Sequence, residues 1–379
     1  MSIRKRKWTT TKGEKKEAWI VDYVDQDGDR HIRTFEKKRD ADAYHATVNV
    51  DVRQGVHSAP SKSITLARAA EEWLSQVARE GRERSTMAQY GQHAHRHIIP
   101  RIGDLKLAHL TTVRISAFRD DLLADMSRPL AKKVLTSLKS ILREAQRRGN
   151  VAQNVALGVS VGLDKRGTKR KLRAGVDLPT PDEVKALIGK AGGKFRPLIV
   201  TAVFAGLRAS ELRGLRWEDI DFARGELHVR QRADRYNATG KPKSASGERT
   251  IPLGPFVLNT LREWKLACPK GEGGLVFPTA KGQIEHHANI LRGLAPVFVG
   301  AGLADRDGKP KYGLHAFRHF FASWCINRRQ DGGLELPTKT VQERLGHASI
   351  VMTMDTYGHL FPRRDDGGEL AAAERALLG

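Results

Sequence analysis

Two cysteines in 379 residues are too few to staple a fold, and Cys268 and Cys325 stand singly, with no CxxC spacing. That argues against a disulfide framework and a cysteine-built zinc site, and it points to a reducing compartment. Long apolar runs are also missing, so no membrane span is expected. The N-terminal MSIRKRKW is basic, but no apolar run follows it, which argues against a secretory signal. Neither an acidic cluster nor a glycine-rich phosphate loop is evident, so no metal or nucleotide cofactor is expected. The largest shortage is of negative charge. Against 43 Asp and Glu stand 66 Lys and Arg, a formal +23. A field of that sign selects polyanions, nucleic acid first and anionic membrane second. Membrane binding needs an apolar span or an amphipathic anchor, and neither is found. The starting expectation is a nucleic-acid-binding protein of the bacterial cytoplasm.

What is present is enough chain for two or three domains. Residues 1–57 hold short alternating runs, EAWIVDYV and RHIRTF, joined by DQDGD, and then a helical pattern ending at Gly55. That reads as a small hairpin with a helix packed on it. A polar linker, GVHSAPSKS, follows. Residues 64–155 read as four helices, the first carrying apolar side chains at 66, 69, 70, 73, 74 and 77. The second is expected to end at Pro100 and Gly103, and the last at Gly149. His93, His95 and His97 are spaced by two, which does not gather them on one helical face. The run LDKRGTKRKLRAG, 163–175, carries six cations and reads as a basic linker able to follow a phosphate backbone.

From 176 onward the pattern is mixed. TPDEVKALIGKA opens as a capping box, and FRPLIVTAVFAG is apolar enough to be a buried helix. GELHVRQ and GERTIPL read as strands flanking a basic loop. Helices are expected at 255–267, at 285–300 and from 315 through HAFRHFFASWCINR, and a last one in 367–379. Four stretches of this region carry groups suited to a phosphate. Arg208 follows the apolar helix in GLRASEL, with Glu211 three residues on to pair with it. Lys243 lies in the basic loop. His315 and Arg318 share a helix face in HAFRH. In LGHASIVMTMDTYGHL, His347 precedes Tyr357 by about three helical turns.

Taken in order, GLRASEL, HAFRH and LGHASIVMTMDTYGH resemble the signature motifs of the tyrosine recombinases, the phage-integrase family, over roughly 176–362. The resemblance implies a multidomain, mainly α chain. Its parts would be an arm-type DNA-binding domain of β-sheet plus helix at 1–57, a helical SAM-like core-binding domain at 64–155, a mixed α+β catalytic domain at 176–366 and a tail helix at 367–379. It also implies that Arg208 and Arg318 are the catalytic arginines and Lys243 the β-hairpin lysine. Lys241 lies two residues away, and Lys243 is preferred for its distance to RTIPL. His315 would be the His of the His-x-x-Arg pair, His347 would fill the His-or-Trp position, and Tyr357 would be the nucleophile. One departure is RRQDGGLELPTKT, longer than the family's usual link, which is expected to loop out and leave the catalytic set intact.

A phenol with a pKa near 10 attacks phosphorus only when its proton is accepted and its anion stabilised. Two guanidinium forks with imidazole donors suit the charge that builds on the phosphate oxygens, and a lysine can protonate the leaving oxygen. The expected product is a 3′-phosphotyrosyl link. The expected partners are double-stranded DNA at core and arm sites, a homotetramer on that DNA and an accessory bending or excision factor. The leading expectation is the integrase of a prophage or integrative element. A Xer-type resolvase is set against it because such chains usually lack an arm-type domain. A non-catalytic regulator is set against it because the full residue set is present.

Overall fold

The basic start of the chain is a strand. In this computed structural model, which describes residues 2–9, 11, 14–25, 28–53, 63–162, 171–271, 273–361 and 367–378, β1 (Ser2–Thr9) pairs antiparallel with β2 (Lys15–Val24), and β2 with β3 (Arg30–Phe35). The sheet therefore has three strands, in the order β1-β2-β3, where sequence pattern suggests only the β2–β3 hairpin. SIRKRKWT hides its alternation under charge, and pairing with β2 supplies what apolar burial does not. Ion pairs join Arg4 to Asp22 and Lys5 to Glu17 across that edge. Helix α1 (Lys38–Arg53) covers one face, closing a small core of Val21, Tyr23, Ala41 and Val48. Arg4, Arg6, Trp8, Arg30 and Ile32 alternate onto the other face and are exposed or partly so.

The following helices are α2 (Leu66–Arg79), α3 (Arg84–Gln92), α4 (Ile99–Ile102), α5 (Thr112–Asp125) and α6 (Arg128–Arg147). They close around Trp73, Ile98, Ile115, Phe118, Leu138 and Ile141. Thr65 caps α2 by accepting from the Arg68 amide. The second helical segment runs past Pro100 and ends at Gly103, the second of the two expected stops. A wide π-type turn, His93–Ile98, carries the chain into α4 with Pro100 in its first turn. The wider turn suits a proline, which lacks the amide an α-turn would need. His93 is buried and its Nδ1 lies 2.8 Å from Ser137 Oγ, while His95 faces Glu71.

The chain divides into two units, 1–166 and 167–379. Most of the basic linker, 163–170, lies outside the described residues. The second unit starts with α7 (Pro181–Lys190), where the capping box forms: the Glu183 amide donates to Thr180 Oγ1 at 3.2 Å and the Thr180 amide to Glu183 Oε2 at 2.8 Å. Helix α8 (Phe195–Ala205) is buried along nearly its whole length, as its apolar run demands, and α9 (Ala209–Gly214) follows. Next come β4 (Ile220–Asp221), β5 (Glu226–Val229), β6 (Arg232–Ala233), β7 (Thr239–Gly240) and β8 (Arg249–Pro252). The two predicted strands pair antiparallel, Leu227 opposite Ile251, and the intervening loop forms its own β6–β7 ribbon. The remaining helices are α10 (Pro255–Ala267), α11 (His287–Gly300), α12 (Leu314–Ile326), α13 (Thr338–Leu345), α14 (Ile350–Tyr357) and α15 (Gly367–Leu378). The long link after α12 folds back on that helix through Leu334 N to Trp324 O, 2.9 Å, and Leu336 N to Cys325 O, 2.8 Å. Among the described residues no helix is long and apolar enough to cross a membrane.

Candidate active site

Helix α8 ends at Gly206, whose φ of 59° is the left-handed cap that glycine favours. A Cβ there would strike the Phe321 ring of α12. The tight fit serves a purpose, because the Gly206 carbonyl accepts from Arg318 Nη1 at 2.8 Å. Gly206→Ala is expected to cost on the order of 2–4 kcal/mol through overpacking and left-handed strain. Thermal melting measures that loss, and an unchanged melting temperature would remove this account of the α8–α12 contact.

Arg208 sits two residues on, in extended backbone at the head of α9. Its Nη1 donates to Glu211 Oε1 at 2.7 Å, its amide to Glu211 Oε2 at 3.0 Å and its Nη2 to the Gly346 carbonyl at 2.8 Å. The pairing with Glu211 read from GLRASEL is thus formed. Glu211 is shared. Arg249, at the start of β8 with a side chain 5% exposed, donates Nη2 to Glu211 Oε2 at 2.8 Å and Nε to the Arg344 carbonyl at 2.8 Å. Burial alone would raise the Glu211 carboxyl. Arg249 and then Arg208 outweigh burial and hold it below the usual carboxylate range.

Arg318 is 2% exposed, and its donors reach the carbonyls of Gly206 and Leu345. Its pKa is pushed down to about 9, by burial first and then by Arg208 and Arg249; at neutral pH it remains charged. Two guanidiniums thus share the Glu211 carboxylate, and the third, Arg318, has only carbonyls as bonding partners, a charge excess that a bound anion relieves. The end of α13 closes on this cluster. Gly346 has φ 62°, and a Cβ there would stand 2.8 Å from the Ser246 carbonyl oxygen. Only glycine lets α13 approach β8 closely enough to bring the Arg344, Leu345 and Gly346 carbonyls onto the arginines.

Tyr357, the last residue of α14, is 1% exposed. Its hydroxyl lies 2.8 Å from His319 Nδ1. Burial raises the phenol to about 12, with Arg318 and Arg208 pulling the other way. His347 is buried, its Nδ1 2.9 Å from Thr353 Oγ1, and its ring lies parallel to that of Tyr357 at 6.3 Å. Burial, Arg318 and Arg208 press its pKa down to about 4. His315, at the exposed edge of α12, meets His319 edge-on at 4.5 Å. Desolvation, with Arg318 and Arg208, lowers it below the usual imidazole value. At about 4, His347 is neutral at pH 7.

Arg208, His315, Arg318, His347 and Tyr357 come together from elements up to 149 positions apart in the chain. Lys243 does not join their buried contacts. It is exposed, as is Lys241, on the segment between β7 and β8 that also delivers Arg249. Arg249 and His319 were not singled out by sequence. A signal existed for each: Arg249 opens the predicted strand RTIP, and His319 stands one helical turn after His315.

The phage integrase family matches over residues 180–364, and the phage integrase N-terminal SAM-like domain over 65–123. A tyrosine recombinase XerC-like protein of Caldanaerobacter subterraneus subsp. tengcongensis is 26% identical over 355 residues, 86% of this chain and 87% of that one. The integrase of Mycobacterium phage D29 is 24% identical across 100% of this chain and 99% of its own. Among solved structures, the Tn1549 transposon integrase in complex with transposon right end DNA shares the fold, with TM-score 0.66 at 19% identity over 83% of this chain and 100% of that one. The chain belongs to the phage integrase family of tyrosine recombinases.

Proposed function

We propose that this recombinase is the integrase of a prophage or integrative element, cutting and rejoining duplex DNA at defined sites through Tyr357. The observation that carries the reading is the Tyr357 hydroxyl, buried beside Arg318 and Arg208, whose charges both act on it. The oxygen attacks a backbone phosphorus, and a 3′-phosphotyrosyl link forms as the 5′-oxygen leaves. Arg208 and Arg318 fork onto the non-bridging oxygens, with Arg249 and Glu211 holding Arg208 in place. His315 and His347 add donors. Lys243, on its exposed segment, reaches into the duplex to protonate the leaving oxygen. The link conserves the phosphodiester's energy, so a second DNA end reverses the step without a nucleotide.

Two further observations favour an integrase over a dimer-resolving relative. The similarity to the D29 integrase runs through the N-terminal sheet. The outer face of that sheet carries Arg4, Arg6 and Arg30, cations suited to a second, arm-type DNA site in the cytoplasm of a bacterial host. Exchange between two duplexes breaks four strands, so four protomers are expected on the DNA. The tail helix α15, with Leu377 85% and Leu378 84% exposed, is suited to hold neighbours together, and an accessory bending or excision factor fits the same assembly.

The test uses duplexes nicked near candidate attachment sites, so that the cleaved end is lost and the covalent intermediate is trapped. The native protein is expected to yield adducts that survive denaturation, in complexes that sediment with four protomers. Sequence-specific binding without an adduct on any duplex would overturn the reading in favour of a regulator.

A further inference from the structure

The roles given so far leave one proton without a destination. When the Tyr357 oxygen bonds to phosphorus, its hydrogen must leave, and guanidiniums accept nothing. The lysine's proton travels the other way, to the 5′-oxygen. Three imidazoles surround the tyrosine, and their geometry separates them. His347 spends Nδ1 on Thr353 Oγ1 and lies with its ring parallel to the phenol, interplanar angle 4°, so no nitrogen of it is engaged with the hydroxyl. His315 presents itself to the His319 ring, at 80°. His319 alone sets a ring nitrogen, Nδ1, on the phenolic oxygen, at 2.8 Å. Tyr357 is buried to 1%, and its O–H would lack an acceptor unless it donates to that nitrogen. His319 is thereby the Nε2–H tautomer, with its Nδ1 lone pair facing the nucleophile.

We propose that His319 is a catalytic residue, taking the phenolic proton onto Nδ1 as Tyr357 attacks. The inference rests on the reading of Tyr357 as nucleophile. In the forward step the O–H bond passes its proton to Nδ1, the oxygen–phosphorus bond forms and the bond from phosphorus to the 5′-oxygen breaks. In the rejoining step a 5′-hydroxyl attacks the phosphorus and gives its proton back to the lysine amine, the bond from phosphorus to the tyrosine oxygen breaks, and the imidazolium returns its proton to that oxygen. His319 faces Tyr357 from α14 and His315 from its own helix. Burial, His315 and the Arg318 charge hold the imidazole down to about 4, and the negative charge of Asp177, on the segment leading into α7, acts in the opposite direction. A phosphodiester seated on Arg318 adds the negative charge that offsets that guanidinium. The base therefore strengthens when substrate is in place, and the tyrosine stays protonated until then.

His319→Asn keeps an amide able to hydrogen-bond the phenol but unable to take its proton. Single-turnover cleavage of a nicked duplex, followed from pH 6 to 9.5, is expected to slow by about a hundredfold or more at pH 7. DNA affinity should stay unchanged, and the deficit should shrink as hydroxide replaces the missing base. Cleavage by His319→Asn within about threefold of native at pH 7, or a deficit equal at every pH, would overturn the proposal. If His319→Asn loses DNA affinity, cleavage is followed in complexes preformed at saturating protein, and a rate there within about threefold of native overturns it. Failure of the native protein to form any adduct strikes the Tyr357 reading instead, so the two failures are distinguishable.

Discussion

Tyr357→Phe is expected to yield no covalent protein–DNA adduct while binding the same duplexes with unchanged affinity. The substitution removes one oxygen from a residue that is 1% exposed and leaves the ring that packs beside His347. Its cost to stability is that of one hydrogen bond, about 1 kcal/mol, with His319 free to find another partner. Its cost to chemistry is total, since no other group stands where the phenol does. With the phenol raised to about 12, on the order of 7 kcal/mol separates it from its anion at pH 7. A water recruited in its place would face a larger gap and would leave no protein-linked product. Denaturing electrophoresis of trapped reactions reads the adduct, and mobility shift reads the binding. Adducts that persist in the phenylalanine variant would show that another residue is the nucleophile.

Glu211→Gln is expected to lower stability and cleavage together. This carboxylate joins Arg208, reaching it through two hydrogen bonds, to Arg249. An amide of the same shape leaves both guanidiniums without their counter-charge. Arg208 is 36% exposed at its side chain and is partly screened by solvent, but Arg249 is only 5% exposed. The expected loss is about 3 kcal/mol, at the lower end for breaking a buried ion pair. Cleavage should fall with it, because Arg208 loses the partner that aims its fork. The pH dependence follows from the direction of the shift. Folding holds the carboxyl below its usual 4.5, so the unfolded chain binds that proton more readily. The native advantage over Glu211→Gln is therefore full above about pH 4.5 and shrinks as acid takes the carboxyl through its lower folded value. Melting temperatures of the two proteins between pH 7 and pH 3 test this, and a gap that stays constant throughout would refute it.

Much of the helical content of the chain was legible because its signals are local. The apolar stripe of α2, the threonine before it, the Thr180–Glu183 box and the unbroken apolar run of α8 act within a few turns, where propensity and capping operate. What escaped was non-local or masked. Strand β1 shows no apolar alternation, and only the backbone of β2 makes it a strand. The helix through Pro100 continues because a π-type turn absorbs the proline.

The same division holds at the site. Motif order and residue type group Arg208, Lys243, His315, Arg318, His347 and Tyr357 into one expected phosphate-directed set from the sequence alone, since each motif is short and chemically specific. The chain also determined a polyanion as partner, through a charge of +23 that no folding alters. Which groups touch was decided by tertiary packing. The Arg249–Glu211 bond and the His319–Tyr357 bond each span 38 positions, and the Arg318–Leu345 bond spans 27. They exist because α12 packs on α8, and because glycines at 206 and 346 permit backbone approaches that a Cβ would block. A helix period tells which side chains share a face. It carries no information about which face another helix will bring to meet them, and so the partner of the tyrosine's proton could be read only from the fold.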